Sequence, residues 1–178
     1  MSQLFKRITA GVAMGGAAVI ALGVACYAVG ARINTTKSIP VGVYLSSSTP
    51  VGKGAYVMFC PPEIELFDDA RKRGYIGGGF CPGGYGYLMK KVMALKGDAV
   101  TVADEGVRVN GELLPLSAPI KADKAGRPLP RFQANGYELG TAEALLMSDV
   151  SGTSFDGRYF GPVNVSQIKT VIVPVVTW

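Results

Sequence analysis

The chain has 178 residues, of which 48% are hydrophobic, and it carries a formal net charge of +5. This length accommodates one modest domain plus one membrane segment but not two sizeable cores, and the scattered basic residues give no footprint for a nucleic-acid partner. The chain contains no histidine, which excludes a Ser-His-Asp triad, and its three cysteines lack CxxC spacing, so we expect neither a metal site nor a cofactor.

The N-terminal region is an uninterrupted uncharged run over residues 8–31 that follows Lys6 and Arg7. At about 1.5 Å of rise per residue, a helix of this length crosses a hydrocarbon core of about 30 Å. The basic residues before the run favour a cytoplasmic N-terminus and export of the remainder. We therefore predict an N-terminal membrane anchor or signal segment at residues 1–31 and an exported domain at residues 32–178.

Two alternatives to an uncleaved anchor remain open. The run is rich in Gly and Ala, so it also fits a cleaved secretory signal whose cleavage site has Ala25, Ala28 or Ala31 as its small residue. The other alternative is lipidation at Cys26, although the residue three positions before it is Gly23 rather than the expected leucine.

Beyond the run, short β-branched segments separated by glycine- and proline-rich turns predict a mainly β domain. Asn110-Gly111 is a strong signal for a two-residue hairpin turn. A polar, proline-rich stretch over residues 115–133 predicts a surface loop. The predicted strands cover residues 41–46, 55–59, 85–95, 99–102, 107–109, 144–147 and 168–176.

Residues 60–84 interrupt this pattern, and we interpret them as an insertion or loop in which residues 63–73 can form a short amphipathic helix. Cys60 and Cys81 bracket the insertion. Export would place them in an oxidising compartment, where a disulfide closing a loop of about twenty residues stabilises a fold by about 3 kcal/mol on the chain-entropy model. We expect this disulfide, and two unpaired thiols are the alternative.

Lys90 is the strongest candidate for a general base. Side chains in a strand alternate between faces, so Lys90 and Lys91 point in opposite directions. Lys90 shares its face with three aliphatic residues, Leu88, Val92 and Ala94. Removal from water disfavours the ammonium form and lowers a lysine pKa, which lets lysine act as a base near neutral pH. The alternative is a lysine that reaches solvent from an edge strand.

A neutral lysine needs a nucleophile, and serine-lysine pairs are a known variant of the catalytic triad. Ser38 lies just beyond the apolar run, within residues 34–42 (NTTKSIPVG), where Pro40 and Gly42 confine the backbone. The alternative is that Ser38 has no catalytic role, because a polar serine is common after a membrane segment. Sequence spacing alone does not settle which serine meets Lys90.

Three blocks of the chain resemble the boxes of the type I signal peptidases. Residues 147–163 (MSDVSGTSFDGRYFGPV) match without a gap a signature that runs roughly M-G-D-N-x-x-x-S-x-D-S-R-x-x-G-x-V, with Ser148 in place of a glycine. Residues 88–98 (LMKKVMALKGD) resemble the lysine box, with Lys96 in place of a proline, and residues 38–42 resemble the serine box loosely. The altered serine box is closer to the TraF-type conjugative transfer peptidases, a plasmid-encoded branch of this family.

The resemblance implies roles for six residues. Ser38 corresponds to the nucleophile and Lys90 to its general base. Thr36 corresponds to a residue whose hydroxyl completes an oxyanion hole with the Ser38 amide. Ser154 corresponds to the serine that orients the lysine.

Asp156 and Arg158 correspond to the acidic and basic pair of the C-terminal signature. The TraF branch is thought to need an aspartate at this place, so the resemblance makes Asp156 a catalytic candidate. A salt bridge that supports the site is the alternative for Asp156, and it is our main interpretation of Arg158.

The resemblance also implies a fold of coiled antiparallel β-sheets and a site at the periplasmic face of the bacterial inner membrane. In the TraF branch the substrate is a conjugative pilin precursor, and processing is associated with head-to-tail cyclisation. Two other functions stay open: a general signal peptidase for secretory precursors, and a non-catalytic anchored β module of a conjugation or secretion apparatus. The presence of both Ser38 and Lys90 argues against the last.

Overall fold

The structure is a computed structural model that describes residues 3–178, so the first two residues of the predicted N-terminal segment lie outside it. Its helices are α1 (Gln3–Ala28), α2 (Glu65–Lys72) and α3 (Gly157–Phe160), with short 3₁₀ helices at Pro82–Gly84 and Val165–Gln167. Its strands are β1 (Ala31–Asn34), β2 (Gly42–Ser47), β3 (Tyr56–Phe59), β4 (Leu88–Ala94), β5 (Ala99–Ala103), β6 (Gly106–Val109), β7 (Glu112–Leu113), β8 (Ala134–Glu138), β9 (Glu143–Met147), β10 (Val163–Asn164) and β11 (Ile168–Thr177).

Helix α1 buries no face against the rest of the protein, because every side chain described for it is exposed. Its Arg7–Ala28 part is long and apolar enough to cross a membrane, and a secretory signal near the N-terminus meets the same criteria of length and composition. The helix stops two residues before Gly30, which adopts a left-handed φ of +89°. The carbonyl of Gly30 then accepts the Ser46 N–H, which leads the chain directly into β1.

Two antiparallel sheets build the domain. The larger has seven strands in the order β1-β2-β11-β3-β4-β9-β10, and the smaller has four in the order β7-β6-β5-β8. The long strand β11 pairs with both β2 and β3, so the C-terminal strand joins the two halves of the larger sheet. The predicted fold class, mainly β with antiparallel sheets and one N-terminal apolar helix, is confirmed.

The main core lies between the two sheets. Strand β9 is buried on both faces. Leu145 and Met147 face the smaller sheet, while Ala144 and Leu146 pack in a second cluster on the other side. A strand that is buried on both faces needs apolar residues throughout, and β9 (EALLM) has them after its first residue. The inter-sheet cluster consists of Ala94, Val100, Val102, Val107, Val109, Leu139, Leu145 and Met147.

Strand β4 occupies the interior of the larger sheet, between β3 and β9. Lys90, Val92 and Ala94 are buried along it while the residues between them are half-buried, which agrees with the predicted alternation. Lys90 lies opposite Val57 of β3. The alternative that Lys90 reaches solvent from an edge strand is therefore wrong.

The insertion at residues 60–84 folds as a small unit around α2. Acidic residues occupy the first turn of α2 and basic residues its last turn, which suits the helix dipole. A disulfide joins Cys60 to Cys81. The buried ring of Phe67 lies 6.2 Å from Phe155 and 5.2 Å from Phe160, so the insertion packs against the segment that carries Ser154.

Strand β4 begins later than predicted, and strands β1, β7, β8 and β10 were not predicted. Strand β4 begins at Leu88 rather than at Tyr85, because the Tyr85 carbonyl accepts the Cys81 N–H and its hydroxyl donates to Asp68 within the insertion. Only the first residue of β1, Ala31, lies in the apolar run, and the other three carry no strand pattern of their own. Strand β8 is exposed along most of its length, so it lacks the apolar alternation by which the other strands were found.

Replacing Cys60 and Cys81 together with alanine is expected to lower the free energy of unfolding by about 3 kcal/mol, because the unfolded chain loses a cross-link over a separation of 21 residues. Thermal unfolding of the detergent-solubilised protein measures this loss, and a reducing agent should bring the wild type to the same Tm. Cys26→Ala is the matched control, because Cys26 is not part of the disulfide. A double variant as stable as the wild type would contradict the expectation.

Candidate active site

A cavity of about 390 Å³ opens where the loop after β1, strand β4 and residues 151–155 meet. One part of its wall is apolar and aromatic, and includes Tyr75 from the insertion. The other part is polar. Its polar lining residues include Asn34, Thr36, Ser38, Lys90 and Ser154.

Ser38 lies on a loop that is wrapped around the side chain of Asn34, which is only 4% exposed. The Nδ2 group of Asn34 donates to three backbone carbonyls at 2.7, 2.9 and 3.0 Å, those of Thr36, Ile39 and Pro40. Its Oδ1 accepts from the Thr36 N–H at 3.2 Å and from the Thr36 hydroxyl at 3.1 Å. One buried amide therefore holds both sides of the loop.

The far end of this loop is anchored in the core. Ile39 is fully buried in a cluster with Tyr44 and Ile172, and the Tyr44 hydroxyl donates to the Pro40 carbonyl at 2.6 Å. Burial raises the pKa of Tyr44 above its ordinary value, and the negative charge of Asp149 raises it further, so this hydroxyl stays protonated as a donor. Ser38 is thus presented by a loop that is fixed before and after it.

The Ser38 side chain is half-buried, and its Oγ lies 2.9 Å from Thr36 Oγ1. Among residues 3–178, no backbone or side-chain acceptor takes the Ser38 N–H. Within the same described residues, no hydrogen bond joins Ser38 to Lys90. The amide is therefore available to a substrate carbonyl oxygen.

Lys90 is 3% exposed, and its Nζ donates to Ser154 Oγ at 2.9 Å. Burial lowers the pKa of Lys90 from its ordinary value near 10.5 to about 8, while the charge of Asp156 raises it and that of Arg158 lowers it by smaller amounts. A pKa of about 8 leaves a useful neutral fraction of the amine near neutral pH. Position, burial and pKa therefore suit a general base.

Asp156 and Arg158 form a fully buried ion pair behind the cavity, outside the set of residues that line it. The Asp156 carboxylate accepts from Arg158 Nε at 2.8 Å, from Arg158 Nη2 at 3.0 Å and from the Ser148 N–H at 3.0 Å. Arg158 Nη1 donates to the carbonyls of Leu116 and Gly152, both at 2.8 Å. Such a pair is tolerated in the interior because its hydrogen-bonding groups are satisfied.

The structure thus brings four of the predicted residues, Ser38, Lys90, Thr36 and Ser154, to one cavity. Asn34 was not predicted, although an Asn two residues before a Thr is a signal for a side-chain-closed turn. Sequence alone also gives no sign that an insertion residue reaches the site.

Two further connections were not predicted. The Ser148 hydroxyl accepts the Val150 and Ser151 N–H groups and donates at 3.4 Å to the carbonyl of Lys37, so it links the Asp156 region to the loop that carries Ser38. The rings of Tyr75 and Phe155 lie 5.5 Å apart and together form one wall of the cavity. Neither contact has a local sequence signal, because the partners are distant in the chain.

Comparison with known proteins places this chain in a family. A family model described as signal peptidase, peptidase S26, matches residues 3–178. A plasmid transfer protein TraF of Escherichia coli is 72% identical over 178 residues, which cover all of both chains. A probable conjugal transfer protein TraF of Sinorhizobium fredii (strain NBRC 101917 / NGR234) is 38% identical over 151 residues, which cover 84% of this chain and 78% of that protein.

Among solved structures, a signal peptidase I of Enterococcus faecalis V583 matches with a TM-score of 0.42 and 17% identity, covering 71% of this chain and 100% of that chain. The family model and the TraF relatives confirm the resemblance that the three sequence blocks indicate. The chain belongs to the signal peptidases of peptidase family S26 and is similar to their TraF-type members.

Proposed function

We propose that the protein is a serine endopeptidase in which Ser38 is the nucleophile and Lys90 is the general base. The observation that carries this proposal is that both residues line one cavity while burial holds the pKa of Lys90 at about 8. A base must be neutral to accept a proton, and it works best when its pKa is near the working pH. Membership of a peptidase family supports the same conclusion.

The reaction is an acyl transfer. Neutral Lys90 takes the proton of the Ser38 hydroxyl as Ser38 Oγ attacks the carbonyl carbon of the scissile peptide. The Ser38 N–H donates to the oxyanion that forms, and each such donor is worth about 100- to 1,000-fold in rate. Protonated Lys90 then gives its proton to the departing amine, which leaves an acyl-enzyme on Ser38.

The other polar residues position Lys90. Ser154 accepts a hydrogen bond from Nζ and so directs the amine. Asp156 does not line the cavity, and its negative charge raises the pKa of Lys90 against the effect of burial. We therefore assign Asp156 to positioning and electrostatic support rather than to contact with substrate, and Arg158 to the structural pair that holds Asp156 in place.

The proposed substrate is the precursor of a conjugative pilin. The relatives named above are transfer proteins of plasmids and conjugation, which supports a role in that process. Water resolves the acyl-enzyme into a cut chain, whereas the N-terminal amine of the same substrate resolves it into a ring. Ring formation needs a high effective concentration of the amine and exclusion of water, and no additional catalytic group.

We propose that the site works at the periplasmic face of the bacterial inner membrane, with residues 1–31 as anchor or signal and residues 32–178 as the periplasmic domain. Strand β1 follows α1 directly and exposes Ile33, while Leu45 and Val173, paired across β2 and β11, are also exposed. An apolar sheet face that continues from an apolar helix suits contact with a lipid surface. Ile33 also lines the cavity, so the site would open close to the membrane.

The direct test is processing of a candidate conjugative pilin precursor, read by intact mass. Wild type is expected to process it, and Ser38→Ala and Lys90→Met are expected to be inactive because each removes one half of the proposed pair. Lys91→Met is the matched control, since Lys91 lies on the opposite face of β4 and pairs with Asp149. A ring is lighter than the corresponding cut chain by one water.

An active Lys90→Met variant would contradict the assignment of the base. Cleavage of ordinary secretory precursors in place of the pilin precursor would favour a general signal peptidase. Inactivity of the wild type toward both substrates would favour a non-catalytic module.

The rate of acylation is expected to rise about tenfold per pH unit below pH 8 and to level off above it, because only neutral Lys90 accepts the proton and its pKa is about 8. Single-turnover cleavage measured between pH 6 and pH 10 gives this profile. A rate that does not change across pH 6 to 9 would show that another group is the base.

Lys90→Met is expected to be more stable than the wild type by roughly 1–3 kcal/mol at pH 7, because it removes the cost of a buried amine. The pKa of Lys90 is about 8 in the native protein and about 10.4 when unfolded, so the unfolded chain binds more protons between these values. Wild-type stability should therefore rise from pH 8 to pH 10, and this rise should be absent in Lys90→Met. Lys91→Met should keep this rise in stability. Thermal unfolding of the three proteins across this pH range measures it.

A further inference from the structure

The direction of the hydrogen bonds around Ser38 follows from the orientation of the Asn34 side chain. Three carbonyl oxygens surround one end of this buried amide, so that end must be the Nδ2 donor. The reversed orientation would place the amide oxygen against three other oxygens. The end that faces Thr36 is therefore Oδ1, which only accepts hydrogen bonds.

The Thr36 hydroxyl has one proton, and Asn34 Oδ1 receives it at 3.1 Å. Thr36 Oγ1 can then only accept from Ser38, whose Oγ lies 2.9 Å away. The protons run in the order Ser38 to Thr36 to Asn34. In this arrangement the nucleophile points its proton at Thr36, which agrees with the hydrogen bond of Lys90 being made to Ser154.

We propose that Asn34 is the positioning residue of the nucleophile: it fixes the loop around Ser38 and, through Thr36, sets the direction of the Ser38 hydroxyl in the resting enzyme. This rests on the proposed function, because the direction of the hydroxyl matters only if Ser38 attacks a substrate. When the reaction starts, the Ser38 side chain turns away from Thr36 so that its hydroxyl donates to Lys90. No bond to carbon is made or broken in that step.

The proposal changes the role expected of Thr36. While its proton is held by Asn34, Thr36 is an acceptor toward Ser38 and does not donate to an oxyanion. A donor role would require that the bond to Asn34 break. The Ser38 N–H, which has no partner among residues 3–178, remains as the oxyanion donor from this loop.

The experiment compares kcat and KM of Asn34→Ala, Asn34→Asp, Thr36→Val and Thr36→Ser with the wild type on the pilin precursor. Both Asn34 variants lose the three donor contacts to the loop, so kcat should fall by about 100-fold or more with KM unchanged within about threefold. Thr36→Val should lower kcat by no more than about tenfold, the effect of one ordinary hydrogen bond. Thr36→Ser, which keeps the hydroxyl, should lose less activity than Thr36→Val.

Two controls separate positioning from a general loss of structure. Asn34→Ala should keep the wild-type pH at which the rate levels off, because among residues 3–178 no hydrogen bond joins Asn34 to Lys90. Asn34→Asp has almost the volume of the wild-type side chain, and the Thr36 variants change an exposed residue, so these test the proposal even if Asn34→Ala does not fold. Thermal unfolding reports which variants are folded.

The proposal is overturned if folded Asn34→Asp retains kcat within about threefold of wild type, or if Thr36→Val loses about 100-fold or more, as an oxyanion donor would. If the wild type itself is inert, the proposed function fails. NMR then tests the hydrogen bonds of the Asn34 side chain independently of activity. The Asn34 Nδ2 protons should then exchange with solvent at least about tenfold more slowly than those of exposed Asn135. Equal exchange rates would overturn the proposal.

Discussion

The burial of one amine in the interior of a β-sheet determines most of what this protein can do. Lys90 lies on β4, a strand that is paired on both edges, and it is almost fully buried. Burial disfavours the ammonium form and brings the pKa of Lys90 down to about 8. The neutral amine, which is rare in an exposed lysine, therefore makes up a useful fraction near neutral pH. The same burial costs stability, so the sheet has to be held together by the apolar clusters on either side of it. The proposed catalytic role of Lys90 and its cost in stability therefore have the same cause, which is burial.

Buried polar groups then hold the loops that complete the site. Asn34 organises the loop that carries Ser38, and the Asp156–Arg158 pair organises the segment that carries Ser154. The two systems are joined at Ser148, which bonds to both the Asp156 carboxylate and the Lys37 carbonyl. Since a buried polar group that lacks partners is costly, each of these groups strongly favours one loop conformation. The disulfide-bonded insertion adds the aromatic wall through Tyr75.

Much of this organisation was predictable where it depends on local pattern. The alternation along β4 put Lys90 on an apolar face, and the apolar run predicted α1, because side-chain periodicity indicates which face of an element is buried. Strand β8 could not be predicted because its exposed residues show no such periodicity. The contact of Tyr75 with Phe155 and the bond of Lys90 to Ser154 join residues that are far apart in the chain. The resemblance to a family supplied Ser154, whereas Asn34 could be assigned a role only from its hydrogen bonds.

The most direct test of this account is the pKa of Lys90 itself, measured by NMR from the pH dependence of its side-chain 13Cε chemical shift. The Ser38→Ala protein is suited to this measurement because its spectrum is not complicated by turnover, and Lys91 in the same strand provides an internal comparison. The account predicts a Lys90 pKa of about 8. A value near the ordinary 10.4 of an exposed lysine would contradict it, because Lys90 would then be an ammonium ion at every pH at which the protein works.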